Sequence, residues 1–303
     1  MKGLVIKNTG SGYKVRTENG TIYDCKIKGN FRIKGIKSTN PIAVGDWVEF
    51  NDASLISQIY DRKNYIVRKP ANLSKQSHII AANIDQVLLV VTLKNPETPL
   101  AFIDRFLVSA EAYNVPTVIL INKTDLLNEP YEQEYLKAFI YLYESIGYTC
   151  ISATLVQDIP EQLLTILRGK NTLLSGNSGV GKSTLINALI PDAQAKVAEI
   201  SSAHHKGMHT TTFSEMYDID ANSHLIDTPG IKGFGLIDMK MNEVSHYFRE
   251  IFKKSASCKY YNCTHRNEPG CAVKAAVTAH EIAESRYQNY LSILEDLNEG
   301  KYR

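Results

Sequence analysis

The stretch that decides the reading of this chain is "NTLLSGNSGVGKSTLINAL", residues 171–189. A strand-like run, Asn171 to Leu174, enters a glycine-rich turn, passes Lys182 and Ser183, and continues as an apolar helical pattern. Strand, loop and helix in that order are the setting in which a glycine-rich loop cradles phosphates. Gly176, Gly179 and Gly181 let the backbone curl, with Asn177, Ser178 and Val180 between them, so that N–H groups point inward. A helix starting near Lys182, with Ser183 and Thr184 in its first turn, adds its positive end. Lys182 suits β- and γ-phosphate charge, and Ser183 suits Mg²⁺. The competing reading is a chance glycine turn, and the order of the three elements argues against it.

A second segment, "NKTD" (Asn122–Asp125), follows the apolar run "TVILI". Asn122 matches the O6/N7 edge of a purine, and Asp125 can accept from both N1–H and the N2 amine of guanine. Adenine lacks both donors and would leave a buried carboxylate unpaired, which gives strong discrimination. The Lys123 stem can cover the base. "SAT" (Ser152, Ala153, Thr154), after the short strand "TCI", offers a backbone N–H to cap it. "LIDTPG" (Leu225–Gly230) ends an apolar strand in Asp227, suited to hold Mg²⁺, with the Gly230 N–H placed for a γ-phosphate. "HTTT" (His209–Thr212) lies between, and Thr211 is the threonine expected on Mg²⁺, with Thr212 next to it.

In an ordinary GTPase the base motif lies downstream of the phosphate loop. Here it lies upstream, so the order is base motif, base cap, phosphate loop, Mg²⁺ threonine, D-x-x-G. That is a circular permutation, which is tolerable because domain termini lie at the surface and often close together. Its consequence is mechanical: the segment after Gly230 leads straight into the C-terminal region.

Bulk composition is that of an ordinary globular chain of 303 residues, enough for two or three cores, with 22% charged and 44% hydrophobic residues. The net charge of +2 argues against a uniformly basic nucleic-acid coat. The basic residues are uneven, however: nine Lys and Arg between Met1 and Lys37 face only Glu18 and Asp24. No apolar run reaches the length of a membrane span, and Leu4-Val5-Ile6 is too short for a signal peptide. Scattered Cys25 and Cys150 and clustered Cys258, Cys263 and Cys271 fit a reduced, cytoplasmic protein that binds a metal through the cluster.

The expected architecture is a multidomain chain in three parts. Residues 1–68 read as an all-β OB-fold barrel that binds RNA, with a hairpin turn at Asn19-Gly20 and the short strands "VGDWVEF" and "LISQIY". "RKPANLSKQ" reads as a linker. Residues 69–235 alternate helices with apolar strands such as "QVLLVVTL", the grammar of an α/β GTPase domain. Residues 236–303 read as a helical zinc-binding domain. In the barrel, Lys28, Arg32, Lys34 and Lys37 are the candidate RNA contacts, and Tyr13, Tyr23, Phe31 and Trp47 are candidate stacking residues, with a core role for these alternating aromatics as the competing reading. Trp47, inside "VGDWVEF", reads as core.

The metal cluster is "CKYYNCTHRNEPGC", spaced Cys258-x4-Cys263-x-His265-x5-Cys271. Three thiolates and one imidazole make a closed tetrahedral set suited to one structural zinc, with no open position for catalysis. Free buried cysteines, or a disulfide with spectators, are the competing readings.

The permuted order, the basic OB-like N-terminus and the C-terminal cluster together resemble the RsgA family (YjeQ/YloQ), bacterial GTPases of small ribosomal subunit maturation, over essentially the whole chain. The resemblance implies hydrolysis of GTP to GDP and phosphate, binding to the 30S subunit and its 16S rRNA, stimulation of turnover by that subunit, and a zinc knuckle on these four ligands. A monomer is expected. The residue after D-x-x-G, a water-orienting Gln in many GTPases, is Ile231, so an intrinsically slow enzyme is expected. His209 is the candidate catalytic residue, a place where the resemblance also points to histidine; a solvated loop residue is the competing reading. His204 and His205 match no role. Gly179 stands where potassium-activated relatives carry Asn, so no potassium requirement is inferred. The alternative function is a GTP-regulated RNA-binding scaffold with little turnover. A metabolic kinase or ATPase fits poorly, because "NKTD" selects guanine.

Overall fold

The structure is a computed structural model; it describes residues 1–9, 11–27, 41–68, 78–193, 214–227 and 239–298. Among the described residues, five strands build the N-terminal unit: β1 (Lys2–Asn8), β2 (Tyr13–Thr17), β3 (Ile22–Ile27), β4 (Trp47–Phe50) and β5 (Leu55–Ile59). They pair in the order β1-β2-β3-β5-β4, and β4 closes back on β1. All contacts are antiparallel except β3 with β5. This is the closed five-stranded barrel expected from the alternating pattern. Inward positions Val5, Val15, Val48, Phe50 and Ile56 fill it. Tyr13 belongs to that filling and is only 5% exposed, which removes it from the candidate stacking residues. A hydrophobic ring on the inward side of a small barrel has no room to meet a base. Tyr23 is half-buried against Phe50, and Trp47 packs on the neighbouring α/β core. Phe31, Lys28, Arg32, Lys34 and Lys37 lie outside the described residues.

Strands β6 (Tyr65–Arg68) and β7 (His78–Ala82) form an antiparallel hairpin on either side of the expected linker, most of which lies outside the described residues. The central unit then runs β8 (Gln86–Val91), α1 (Leu100–Ala112), β9 (Thr117–Ile121), α2 (Pro130–Ser145), β10 (Thr149–Ser152), α3 (Glu161–Leu167), β11 (Asn171–Ser175), α4 (Lys182–Leu189), β12 (Glu215–Asp218) and β13 (His224–Asp227). The strand order is β10-β9-β8-β11-β13-β12, parallel except for β12. Buried on both faces, β8 and β9 carry continuous apolar side chains.

β12 also pairs with β1 at Lys7↔Glu215, so barrel and α/β sheet are continuous. Lys7 Nζ meets Glu215 at 2.8 Å, and Arg16 donates to Asp218 across the same seam. Hydrogen bonds from His224, first, and Arg16 hold the Asp218 carboxyl at about 2 despite its partial burial.

The C-terminal unit comprises α5 (Arg249–Ser255), α6 (Ala272–Thr278) and α7 (Glu284–Asn298) around the cysteine-rich loop. Its core takes in Val108 from α1. Beside it, Arg286 of α7 donates to Asp104 of α1 at 2.7 Å and to Glu250 of α5 at 2.7 and 3.1 Å. Both Arg286 and Asp104 side chains are 1% exposed. Burial opposes the guanidinium charge, and the two carboxylates outweigh it. No helix among the described residues is long and apolar enough to cross a membrane.

Candidate functional site

The C-terminal ends of β8, β9, β10, β11 and β13 open at one edge of the parallel sheet, the place where open α/β sheets bind ligands. β11 delivers the glycine-rich loop there, and α4 begins at Lys182. Gly176 and Gly181 have φ of +143° and +106°. A Cβ at Gly176 would lie 2.3 Å from the Val90 carbonyl oxygen, and one at Gly181 would lie 2.1 Å from Asn122 Nδ2. Only glycine fits at either position, and the loop is therefore closely seated on the strands beside it.

Asn122 is the residue that joins the two motifs. Its Nδ2 donates to the Val180 carbonyl at 2.8 Å and its Oδ1 accepts from Leu155 N at 3.1 Å. The base motif, the loop after β10 and the phosphate loop thus meet at one buried amide, although 58 residues separate Asn122 from Val180. Reversed order in sequence is no obstacle, because β9 and β11 flank β8 in the sheet.

Lys182 Nζ donates to the carbonyls of Gly176 at 2.7 Å and Asn177 at 2.6 Å, folded over its own loop. Burial lowers its pKa and nearby Asp227 opposes that. Among the described residues, this half-buried ammonium meets two neutral carbonyls and the charge of one carboxylate. Ser183 is exposed in the first turn of α4, with Thr184 half-buried after it, and Asp227 ends β13 in register with Leu174. Ser178 and Gly179 are exposed, Asn177 half-buried and Val180 fully buried.

Lys123 has φ +62° and its Nζ donates to Asn95 O at 2.5 Å. Asp125 is exposed in the short helical turn Thr124–Leu126. Ser152 is exposed at the end of β10. Ala153 N–H donates to Ile121 O at 2.8 Å and its carbonyl accepts from Thr124. The parallel pairing of β10 with β9 thus runs on through residue 153. Thr124, Asn95 and Leu155 enter the site through backbone groups or a hydroxyl, contacts that leave no residue-type signature. Thr211, Thr212, His209, His204, His205, Gly230 and Ile231 lie outside the described residues.

The second cluster is Cys258, Cys263, His265 and Cys271, whose potential ligand atoms all lie within 4.8 Å of one another. Cys258 Sγ and Cys271 Sγ are 4.0 Å apart, and His265 Nδ1 lies 3.6 and 3.5 Å from them. A tetrahedral ion with ordinary metal–sulfur and metal–nitrogen bonds has edges of about 3.8 Å between sulfurs and about 3.6 Å from sulfur to nitrogen. The donor set fits such an ion through Nδ1, and the three cysteines are free rather than bridged. Burial lowers the pKa of His265, keeping the imidazole neutral as a ligand must be. Burial first, then crowding by the Cys271 and Cys258 sulfurs, pushes the Cys263 thiol up to about 12. A dication would reverse that penalty.

Fold and site together define a circularly permuted GTPase carrying a C-terminal Cys3His cluster able to hold a metal ion. Two family models match the chain: RsgA GTPase over residues 59–237 and RsgA N-terminal domain over residues 2–55. The small ribosomal subunit biogenesis GTPase RsgA of Phocaeicola vulgatus is 60% identical across 100% of this chain and 99% of its own length. That of Bacteroides fragilis is 61% identical at the same coverage. Among solved structures, YjeQ from Thermotoga maritima matches with TM-score 0.77 and 34% identity over 98% of both chains. YloQ, a circularly permuted GTPase, matches with TM-score 0.73 and 29% identity over 100% of this chain and 96% of its own. The chain belongs to the RsgA family of GTPases.

Proposed function

We propose that this protein hydrolyses GTP to GDP and phosphate in the late maturation of the small ribosomal subunit, binding the 30S particle and its 16S rRNA and being stimulated by it. The observation that supports the nucleotide half is the Asn122–Val180 hydrogen bond, which joins the NKTD segment to the glycine-rich loop. Asn122 and Asp125 read the base and Lys123 covers it. The loop Gly176–Gly181, Lys182 and Gly230 take the phosphates. Ser183, Thr211 and Asp227 hold Mg²⁺, which offsets charge on the β- and γ-phosphates when bound. His209 orients the attacking water. The division into residues 1–68 for RNA, 69–235 for nucleotide and 236–303 for one structural zinc follows from these sites. The protein acts as a cytoplasmic monomer, with Lys28, Arg32, Lys34 and Lys37 on rRNA phosphates.

Support for the ribosomal half comes from the names and full-length similarity of the relatives. Ile231 favours one competing reading, a GTP-regulated scaffold, since it cannot hold a water. Phosphate release from GTP, measured with and without purified 30S subunits, separates the two. Slow release alone and a large stimulation by 30S is the expected result; release that stays at the basal rate with 30S present overturns the enzyme reading.

A further inference from the structure

Within the cysteine-rich loop, one carboxylate is used in a way the ligand spacing does not explain. Glu268 Oε1 accepts from Thr264 N at 2.7 Å and Thr264 Oγ1 at 2.6 Å. Its Oε2 accepts from Arg266 N at 2.9 Å and Asn267 N at 3.1 Å. The side chain therefore spans His265 from both sides in sequence. His265 itself sits at φ +58°, a left-handed conformation that a side chain bearing Cβ rarely adopts unless held there. On the acceptor side, Tyr287 donates its hydroxyl to His265 O at 2.6 Å and Tyr290 donates to Thr264 O at 2.7 Å. The backbone on both sides of the imidazole is thus pinned, and the ring, in a residue 1% exposed, aims Nδ1 at Cys258 and Cys271.

We propose that Glu268 is a positioning residue for the metal: by holding the 264–267 backbone in its turn it sets the direction of His265 Nδ1 before the ion arrives. This rests on reading the four residues as a zinc site. Glu268 is not itself a fifth ligand, because both its oxygens are engaged by loop donors. The carboxylate chemistry is specific. Each oxygen accepts from two donors, and an amide nitrogen accepts none. In Glu268→Gln, whichever way the amide turns, two loop donors face an N–H group. The turn then loosens without change in size, and the imidazole must be ordered at the expense of binding. Outer partners of metal ligands typically contribute about 10- to 100-fold in affinity.

The test uses the full chain, stripped of metal and titrated with zinc against a chromophoric chelator at fixed pH, with cobalt(II) spectra as a second readout. Glu268→Gln is expected to weaken zinc binding about 10- to 100-fold and to shift the cobalt d–d bands. Thr264→Val, which removes only the hydroxyl donor, should weaken it by less. Lys254→Met, which removes the exposed pair with Glu281 in the same unit, should leave both readouts unchanged. Wild-type affinity and wild-type spectra in both loop variants overturn the proposal. If Glu268→Gln fails to fold, Thr264→Val decides alone by the same criterion. Failure of the zinc reading looks different: the wild-type chain itself takes up no stoichiometric metal.

Discussion

Replacing Arg286 with Met should loosen the joint between α1 and α7 more than any other single change in the C-terminal unit. Asp104 receives three hydrogen bonds: Arg286 at 2.7 Å, Tyr143 Oη at 2.9 Å and Asn289 Nδ2 at 2.6 Å. Only the first brings positive charge. Without it, Asp104 and Glu250, 1% and 8% exposed, remain as buried carboxylates beside each other. Removing one partner of such a pair costs about 3–5 kcal/mol, because the charge left behind is desolvated and uncompensated. The guanidinium also lies 4.6 Å from the Phe248 ring, and Met retains most of that packing. A chain with several units has no single unfolding free energy, so local opening is the quantity to read. In native-state hydrogen exchange, amides of α1 and α7 should exchange about two to three and a half powers of ten faster in Arg286→Met. The triple change Arg286→Met, Asp104→Asn, Glu250→Gln removes the stranded charges and should recover at least about half of the loss. A single variant that accelerates exchange less than about fivefold, near 1 kcal/mol, refutes the reasoning.

His209→Ala leaves the phosphate loop and base motif intact, so GTP affinity should change little. The 30S-stimulated single-turnover rate should fall by about two to four powers of ten while the basal rate persists; equal stimulation of both proteins removes His209 from the mechanism. Asp218 has a folded-state pKa of about 2, below the 3.8 of a free carboxyl. A depressed carboxylate stabilises above its unfolded pKa and loses that contribution as pH falls through the folded one. The seam with Arg16 and His224 should therefore hold at pH 5 and release between about pH 4 and 2. Carboxyl NMR should place the Asp218 midpoint near the bottom of that range, and an ordinary midpoint contradicts the seam.

Much of this was legible because the chemistry is carried by residue types at fixed spacings. Glycines at 176, 179 and 181, the Asn122–Asp125 motif and the Cys/His spacing each need particular residues, and the sequence shows them. The barrel was legible for a related reason, since alternation and turn glycines mark short strands. What escaped is of another kind. The Ala153 N–H that closes a strand ladder has no signature in the sequence, since backbone hydrogen bonds do not discriminate residue type. Tyr13 looked like a stacking residue because alternation shows two faces without saying which one points inward. Glu268, Asp104 and Arg286 belong to no motif, and only folding brings 104 and 286 together. The β1–β12 junction is likewise a long-range pairing with no local signal.

The central claim is that two segments written in reversed order form one guanine-nucleotide site. It is tested most directly by titrating the chain with fluorescent GTP, and competing with unlabelled GTP, XTP and ATP, in wild type, Asp125→Asn and Lys182→Ala. The account predicts one site per wild-type chain that prefers GTP over ATP, a switch of preference toward XTP in Asp125→Asn, and weakened binding of every triphosphate in Lys182→Ala. An Asp125→Asn protein with unchanged GTP preference, or a Lys182→Ala protein with unchanged affinity, would show that the two motifs do not share a ligand.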